Sequence, residues 1–145
     1  MNLSHERFLG VLASLKAHDA ITPEQRRNPR VGLQASVLIA PCEDDACLDS
    51  RSRETAPGPA YSVRVRDLGS GGISFQHYHA LPKGKPFILD LPERGHDREP
   101  ASVRLLCRVQ HCRLTAEHQF VIGAQFIRLW TAPAASLDAA RAIAA

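Results

Sequence analysis

Three arginines, Arg26, Arg27 and Arg30, lie close together in the segment Glu24-Gln25-Arg26-Arg27-Asn28-Pro29-Arg30. Guanidinium groups are planar and donate paired hydrogen bonds, which suits phosphates and the edge of guanine, and they also stack on base faces. Pro29 disfavours helical geometry at Asn28, so we expect the arginines to lie on an extended or turning strap. The strap predicts a site for an anionic ligand.

A glycine-rich segment, Asp67-Leu68-Gly69-Ser70-Gly71-Gly72, is the second candidate. Glycines allow backbone N–H groups to approach a ligand that side chains would otherwise block. Taken alone, each segment has a simpler interpretation, because arginines before a strand are often solvated charges and such a glycine run is often only a tight turn. Together in one small domain they favour a ligand site between the strap and the turn.

The chain is short, and its charge is unevenly distributed. Its 145 residues and 44% hydrophobic content suit one domain with one core. The net charge is +2 over residues 1–32, −3 over residues 42–60 and +4 over residues 61–145. The total of +3 is small for a duplex-binding protein, which normally has a concentrated basic face, so nucleic acid is not an expected partner.

The sequence has neither the pattern of a membrane span nor that of a secretion signal. No apolar run approaches the roughly 20 residues that span a bilayer, and no basic region followed by an apolar block occurs near Met1. We therefore expect a cytoplasmic protein without a membrane span. In that compartment the four cysteines, Cys42, Cys47, Cys107 and Cys112, are expected to be reduced thiols.

Alternating apolar residues predict a mainly β domain. Runs of this kind occupy residues 33–41, 61–67, 73–78, 86–91, 102–114 and 119–129. Turn-forming residues separate most of them. About six short strands at this spacing are typical of an antiparallel barrel or sandwich.

A helix is predicted at each end of this β domain. The first covers residues 4–17 with Ser4 as its cap, and the second lies in the alanine-rich residues 133–145. One side of the first helix is apolar: Leu3, Phe8, Val11, Leu12 and Leu15. This stripe either covers the open end of the barrel or forms the seam of a homodimer.

The sequence predicts that the chain is divided into three parts. Residues 1–23 form the amphipathic amino-terminal helix, residues 24–130 the β domain, and residues 131–145 the carboxyl-terminal helix. Inside the β domain, residues 42–60 contain five acidic side chains and Pro57-Gly58-Pro59. This composition predicts an acidic mobile loop that folding does not need.

The two candidate segments together resemble the motifs of PilZ domains. Arg26 and Arg30 match that family's Arg-x-x-x-Arg pair, and the run from Asp67 to Gly72 resembles its second motif, Asp/Asn-x-Ser-x-x-Gly. Downstream segments are also similar to the family pattern: Leu81-Pro82-Lys83-Gly84, Val109 and Val121-Ile122-Gly123-Ala124-Gln125-Phe126. The resemblance spans about residues 24–129.

This resemblance implies a six-stranded antiparallel β-barrel that binds cyclic di-GMP, a bacterial second messenger. In the family, the arginines hold guanine edges and phosphates, and the second motif contacts the guanine and the nucleotide backbone. Carried over to this chain, the ligand-binding residues are Arg26, Arg27, Arg30, Asp67, Gly69, Ser70 and Gly72. Cyclic di-GMP is then the ligand, no separate cofactor is implied, and a protein partner whose identity the sequence does not give receives the signal.

Gly69 departs from the family motif, which has serine at this position. A neutral hydrogen bond contributes about 0.5–1.5 kcal/mol net, so losing one weakens binding about tenfold at most. The neighbouring Ser70 is expected to face the other side of an extended segment. The departure supports an alternative function, that of a PilZ-fold protein-interaction module that has lost nucleotide binding.

No pattern in the sequence predicts an enzyme. No serine or cysteine is accompanied by a recognisable base and oxyanion signature. Asp90, Glu93 and Asp97 are predicted to be loop charges instead of a paired acid and base.

A metal site is also not predicted. Cys107 and Cys112 are five residues apart in one predicted strand, which places their side chains on opposite faces and disfavours zinc. His77 and His79 share one face of a strand and are predicted to be exposed polar residues at its end.

Overall fold

The structure is a computed structural model, which describes residues 1–16, 31–32, 35–42, 57–94 and 100–144. The arginines of the predicted strap and Cys47 lie outside these residues. The helices are α1 (His5–Lys16) and α2 (Ala135–Ala144). The strands are β1 (Val31–Gly32), β2 (Ser36–Pro41), β3 (Tyr61–Leu68), β4 (Gly72–His77), β5 (Pro86–Arg94), β6 (Pro100–Leu114) and β7 (Phe120–Leu129).

Six strands close into an antiparallel barrel. β3, β2, β5, β6, β7 and β4 are neighbours in that order, and β4 pairs back with β3. The short β1 also pairs with β3, through the pairs Val31–Leu68 and Gly32–Asp67. The predicted six-stranded antiparallel barrel with a helix at each end is confirmed.

The core of the barrel is built from the alternating apolar residues of the strands, as their period predicts. In β3, for example, Val63 and Val65 are buried while Arg64 and Arg66 are exposed. The largest buried side chains include Phe75 and Phe87, whose rings meet edge to face with centroids 5.7 Å apart.

Helix α1 contributes to this same core. All five residues of its apolar stripe pack into the core cluster of the barrel, and Ser4 Oγ accepts a hydrogen bond from the backbone N–H of Arg7 at 3.2 Å. Arg7 Nε also donates to Glu93 Oε1 of β5 at 3.2 Å. Of the two alternatives for the stripe, α1 therefore uses it to cover the barrel. Neither helix in the described parts of the chain is long and apolar enough to cross a membrane.

Helix α2 packs on the outside of the barrel. A second apolar cluster, which includes Ile88, Leu106, Trp130 and Leu137, lies between α2 and the outer faces of β2, β5 and β6. Beside it, the side chain of Asp90 is buried and is held by arginines from β6 and α2. The prediction of Asp90 and Glu93 as loop charges is wrong, because both belong to β5 and pair with arginines.

The predicted loop over residues 42–60 is packed at both of its ends. Cys42 is fully buried in the second cluster, and its N–H donates to the Pro86 carbonyl at 3.0 Å. Pro57 is buried, and the N–H of Gly58 donates to the Pro41 carbonyl at 2.8 Å. The predicted mobility therefore applies only to residues 43–56. These lie outside the described residues, so their mobility stays a prediction.

The expectation that Cys107 and Cys112 lie on opposite faces is wrong. The pairing between β6 and β7 shifts between Val109 and His111, which inserts one extra residue into β6. Both cysteines consequently contact the core. Burial raises the pKa of the Cys107 thiol well above its ordinary value, so this thiol is unreactive at neutral pH.

His77 is a packing residue at the end of β4. It is half-buried, and its ring stacks on Tyr61 with centroids 4.5 Å apart. Burial, together with the neighbouring His79, lowers the pKa of His77. Only His79 is exposed as the sequence predicts.

Candidate functional site

One row of outward-facing residues crosses four neighbouring strands. Asp67 of β3 lies opposite Ser74 of β4, Ser74 lies opposite Gly123 of β7, and Gly123 lies opposite His111 of β6. The row faces outward, because each member is adjacent in its strand to a residue that packs in the core: Leu68, Ile73, Ile122 and Cys112. Strands lie about 4.8 Å apart, so the row is about 14 Å long.

This row forms the floor of a depression of about 500 Å³ on the outside of the barrel. The glycine-rich turn between β3 and β4 lines one part of it, and Gln110 and Gln125 line another. Sites for small molecules typically occupy roughly 300–1,000 Å³. The depression is therefore large enough for a small ligand.

The glycine-rich turn is held closely against its surroundings. The N–H of Gly69 donates to the Gly72 carbonyl at 2.9 Å, and the Ser70 carbonyl accepts from the N–H of Leu3 at 2.7 Å. A Cβ atom at Gly72 would lie only 2.5 Å from the Ala124 carbonyl oxygen. Glycine at position 72 is thus required by the close approach of β7.

Two β-bulges direct polar side chains into the depression. The β3–β4 pairing shifts between Val65 and Asp67, which turns Asp67 outward. The bulge in β6 turns two consecutive residues, Gln110 and His111, to the outer face. Gln110 Nε2 then donates to Gln125 Oε1 at 2.6 Å.

The imidazole of His111 lies over Gly123. A Cβ atom built on Gly123 would collide with the Nε2, Cε1 and Cδ2 atoms of this ring. The absence of a side chain at position 123 therefore lets the ring of His111 lie against the sheet.

The predicted site residues of the turn, Asp67, Gly69, Ser70 and Gly72, all line this depression. Ser70, which was expected to face away, lines it as well because it lies in a bend and not in an extended strand. The other predicted site residues, Arg26, Arg27 and Arg30, lie outside the described residues.

The part of the site that comes from the later strands was not predicted from the sequence. Gln110 and His111 belong to no motif, and although Gly123 and Gln125 lie in the segment Val121–Phe126, nothing local in the sequence joins that segment to the turn. One signal was present, since two consecutive polar residues interrupt the alternation of β6 at Gln110-His111. Such an interruption is typical of a bulge.

The chemistry of the depression suits a flat, polar ligand. It combines a carboxylate, two hydroxyls, an imidazole and two amides around a floor that contains glycine at positions 72 and 123. No group of three or more potential metal ligands occurs among the residues that the structure describes. No protein-family model and no curated protein matches this chain.

Proposed function

We propose that this protein is a PilZ-type receptor domain that binds cyclic di-GMP and acts in bacterial second-messenger signalling in the cytoplasm. One observation supports the proposal above all others. The glycine-rich turn that resembles the second PilZ motif lines a depression of about 500 Å³ on the outside of a six-stranded barrel.

Strand β1 supports the assignment of the arginine strap to this same site. Val31 follows Arg30 directly in the chain and lies opposite Leu68, the residue before Gly69. Each residue extends a chain by at most about 3.6 Å, so the backbone of Arg26 lies within about 18 Å of Val31. The strap is therefore long enough to lie over the row that runs from Asp67 across the barrel.

The arginine strap and the glycine-rich turn have complementary chemistry for an anionic dinucleotide. The guanidinium groups suit the phosphates and the acceptor edge of guanine. The carboxylate of Asp67 suits the opposite edge of guanine, where two N–H donors lie side by side. Adenine does not present that pair of donors, so Asp67 favours guanine.

The proposed signal passes to a protein partner through α1. Leu3, which precedes α1, bonds to Ser70 of the glycine-rich turn, and its side chain is buried in the barrel. A movement of the turn on ligand binding would therefore act directly on the amino-terminal segment through this contact. The partner is a protein that contacts this segment.

The direct test is calorimetric titration of the whole chain with cyclic di-GMP at physiological salt. We expect saturable binding, and we expect Arg26→Ala and Arg30→Ala each to lose about 1.5–3 kcal/mol of it, the range for hydrogen bonds to charged groups. This corresponds to a roughly ten- to 150-fold weaker affinity. Arg113→Ala is the matched control, because Arg113 is exposed on β6 and does not line the depression. Undiminished affinity in both strap variants would remove the strap from the site.

Gly69→Ser should strengthen binding by about 0.5–1.5 kcal/mol, since it supplies the hydroxyl that the family motif has at this position. In the described residues a positive φ occurs at Gly84 and His118, so a side chain at Gly69 meets no left-handed strain. Gly69→Ala is the control, because it adds a Cβ atom without a hydroxyl. Titration of both variants beside the wild type separates the two effects, and equal affinities for serine and alanine would contradict the expected contact.

Gly69 also favours the second candidate function, a PilZ-fold interaction module without a nucleotide. Under that hypothesis neither the wild type nor Gly69→Ser nor Gly69→Ala binds cyclic di-GMP. That result would end the receptor proposal and leave the interaction module in its place.

A further inference from the structure

His111 is the one residue with a ring among the described residues that line the depression. It lies at the end of the row opposite to Asp67, and it is exposed. The bulge in β6 is what turns it outward beside Gln110. His111 belongs neither to the core nor to the segments that resemble the family motifs.

The contact with Gly123 fixes where the ring lies. Because position 123 has no side chain, the Nε2 end of the imidazole lies over the strand itself. The sheet supports the ring from below, and the depression lies above it. Gln110 and Gln125, joined by their amide hydrogen bond of 2.6 Å, lie in the same depression and bring further polar groups to the ring.

The two ends of the row are too far apart to contact one base. Asp67 and His111 are three strand spacings apart, about 14 Å measured along the curved sheet. A single planar base that bonds to the carboxylate therefore does not reach the imidazole. A molecule with two bases can occupy both ends at once.

We propose that His111 is a stacking platform for one base of the bound dinucleotide. One guanine bonds at the Asp67 end, and the other lies on the solvent-facing side of the imidazole, with Gln110 and Gln125 at its edge. This inference rests on the proposed function and extends it, because it assigns the second base to residues outside the strap and the glycine-rich turn. Aromatic and imidazole rings stack with any base, so guanine selectivity comes from the other contacts.

Titration of the whole chain with cyclic di-GMP tests this assignment. Stacking on one side chain contributes enough that His111→Ala should weaken binding about five- to 150-fold. His111→Phe keeps a flat ring and should stay within about threefold of the wild type. His79→Ala is the matched control, because His79 is exposed and does not line the depression.

Gly123→Ala gives an independent check on the position of the ring. The new methyl group takes the space of the imidazole and displaces it. We expect the same loss of affinity as in His111→Ala, and no additional loss when the two changes are combined. The thermal midpoint should change little, because the displaced atoms are the end of a flexible exposed side chain.

A spectroscopic measurement separates stacking from a merely structural effect. In the wild type, NMR signals of the His111 ring protons should shift upfield as cyclic di-GMP is added, since a stacked base shields them. Binding by the wild type with no such shift, or with full affinity in His111→Ala, would overturn this inference and leave the proposed function intact. No binding by the wild type would overturn the proposed function and this inference with it.

Discussion

Replacing Asp90 by alanine is expected to lower the free energy of unfolding by about 3–5 kcal/mol, the cost of breaking a buried ion pair. The Asp90 side chain is 4% exposed and accepts hydrogen bonds from Arg104 Nε at 3.0 Å and Arg141 Nη1 at 2.8 Å. Burial alone would lower the pKa of Arg104, but its hydrogen bonds with Asp138 and Asp90 outweigh burial and raise the pKa. Without Asp90, the largely buried guanidinium of Arg104 retains, among the residues that the structure describes, only the exposed Asp138 as a partner.

Urea unfolding of Asp90→Ala and Asp138→Ala measures this difference. Asp138 also pairs with Arg104, but its side chain is 62% exposed, so its removal should cost less than about 1 kcal/mol. Both variants remove a carboxylate partner of Arg104, but Asp90 is buried and also pairs with Arg141. Similar losses in both would show that the buried carboxylate does not hold α2 on the barrel.

The Gly72→Ala variant is expected to lose about 3 kcal/mol of stability, the upper end of the usual cost of overpacking. Its Cβ atom would meet the Ala124 carbonyl oxygen at 2.5 Å, and a backbone atom inside a paired sheet has no room to move. Because β4 and β7 would separate locally, the floor of the depression would change, and cyclic di-GMP binding should be lost as well.

Gly71→Ala is the matched control for this prediction. Its Cβ atom would lie 2.6 Å from Asn2 Oδ1, the end of a flexible side chain that can move aside. We expect a loss of less than about 1 kcal/mol, comparable to an ordinary surface change. Thermal unfolding of the two variants measures the contrast, and equal midpoints would contradict the role assigned to the β4–β7 contact.

The parts of the fold that depend on local pattern were predictable. The strands follow from the alternation of apolar residues, and α1 follows from its apolar stripe and the Ser4 cap, whose hydrogen bond the structure contains. The bulges were not predictable, because an extra residue is defined by the partner strand. For this reason the prediction that Cys107 and Cys112 lie on opposite faces of the strand was wrong.

The candidate site divides in the same way. Asp67, Gly69, Ser70 and Gly72 are contiguous in the chain, so a motif could indicate them before any fold was known. The other part depends on the register of strands distant in sequence, such as the pair Gly123–His111. Burial of Asp90 was missed for a related reason, since Arg141 is 51 residues away in the chain.

Closure of the barrel also limits how other proteins can bind to it. Each of the six barrel strands has a hydrogen-bonded neighbour on both sides, so among the described residues the sheet ends only at the two-residue β1. Open edges are where proteins add a strand from a partner or aggregate into extended sheets. Because β1 is too short to template an added strand, a partner of this domain is expected to recognise side chains on its surface.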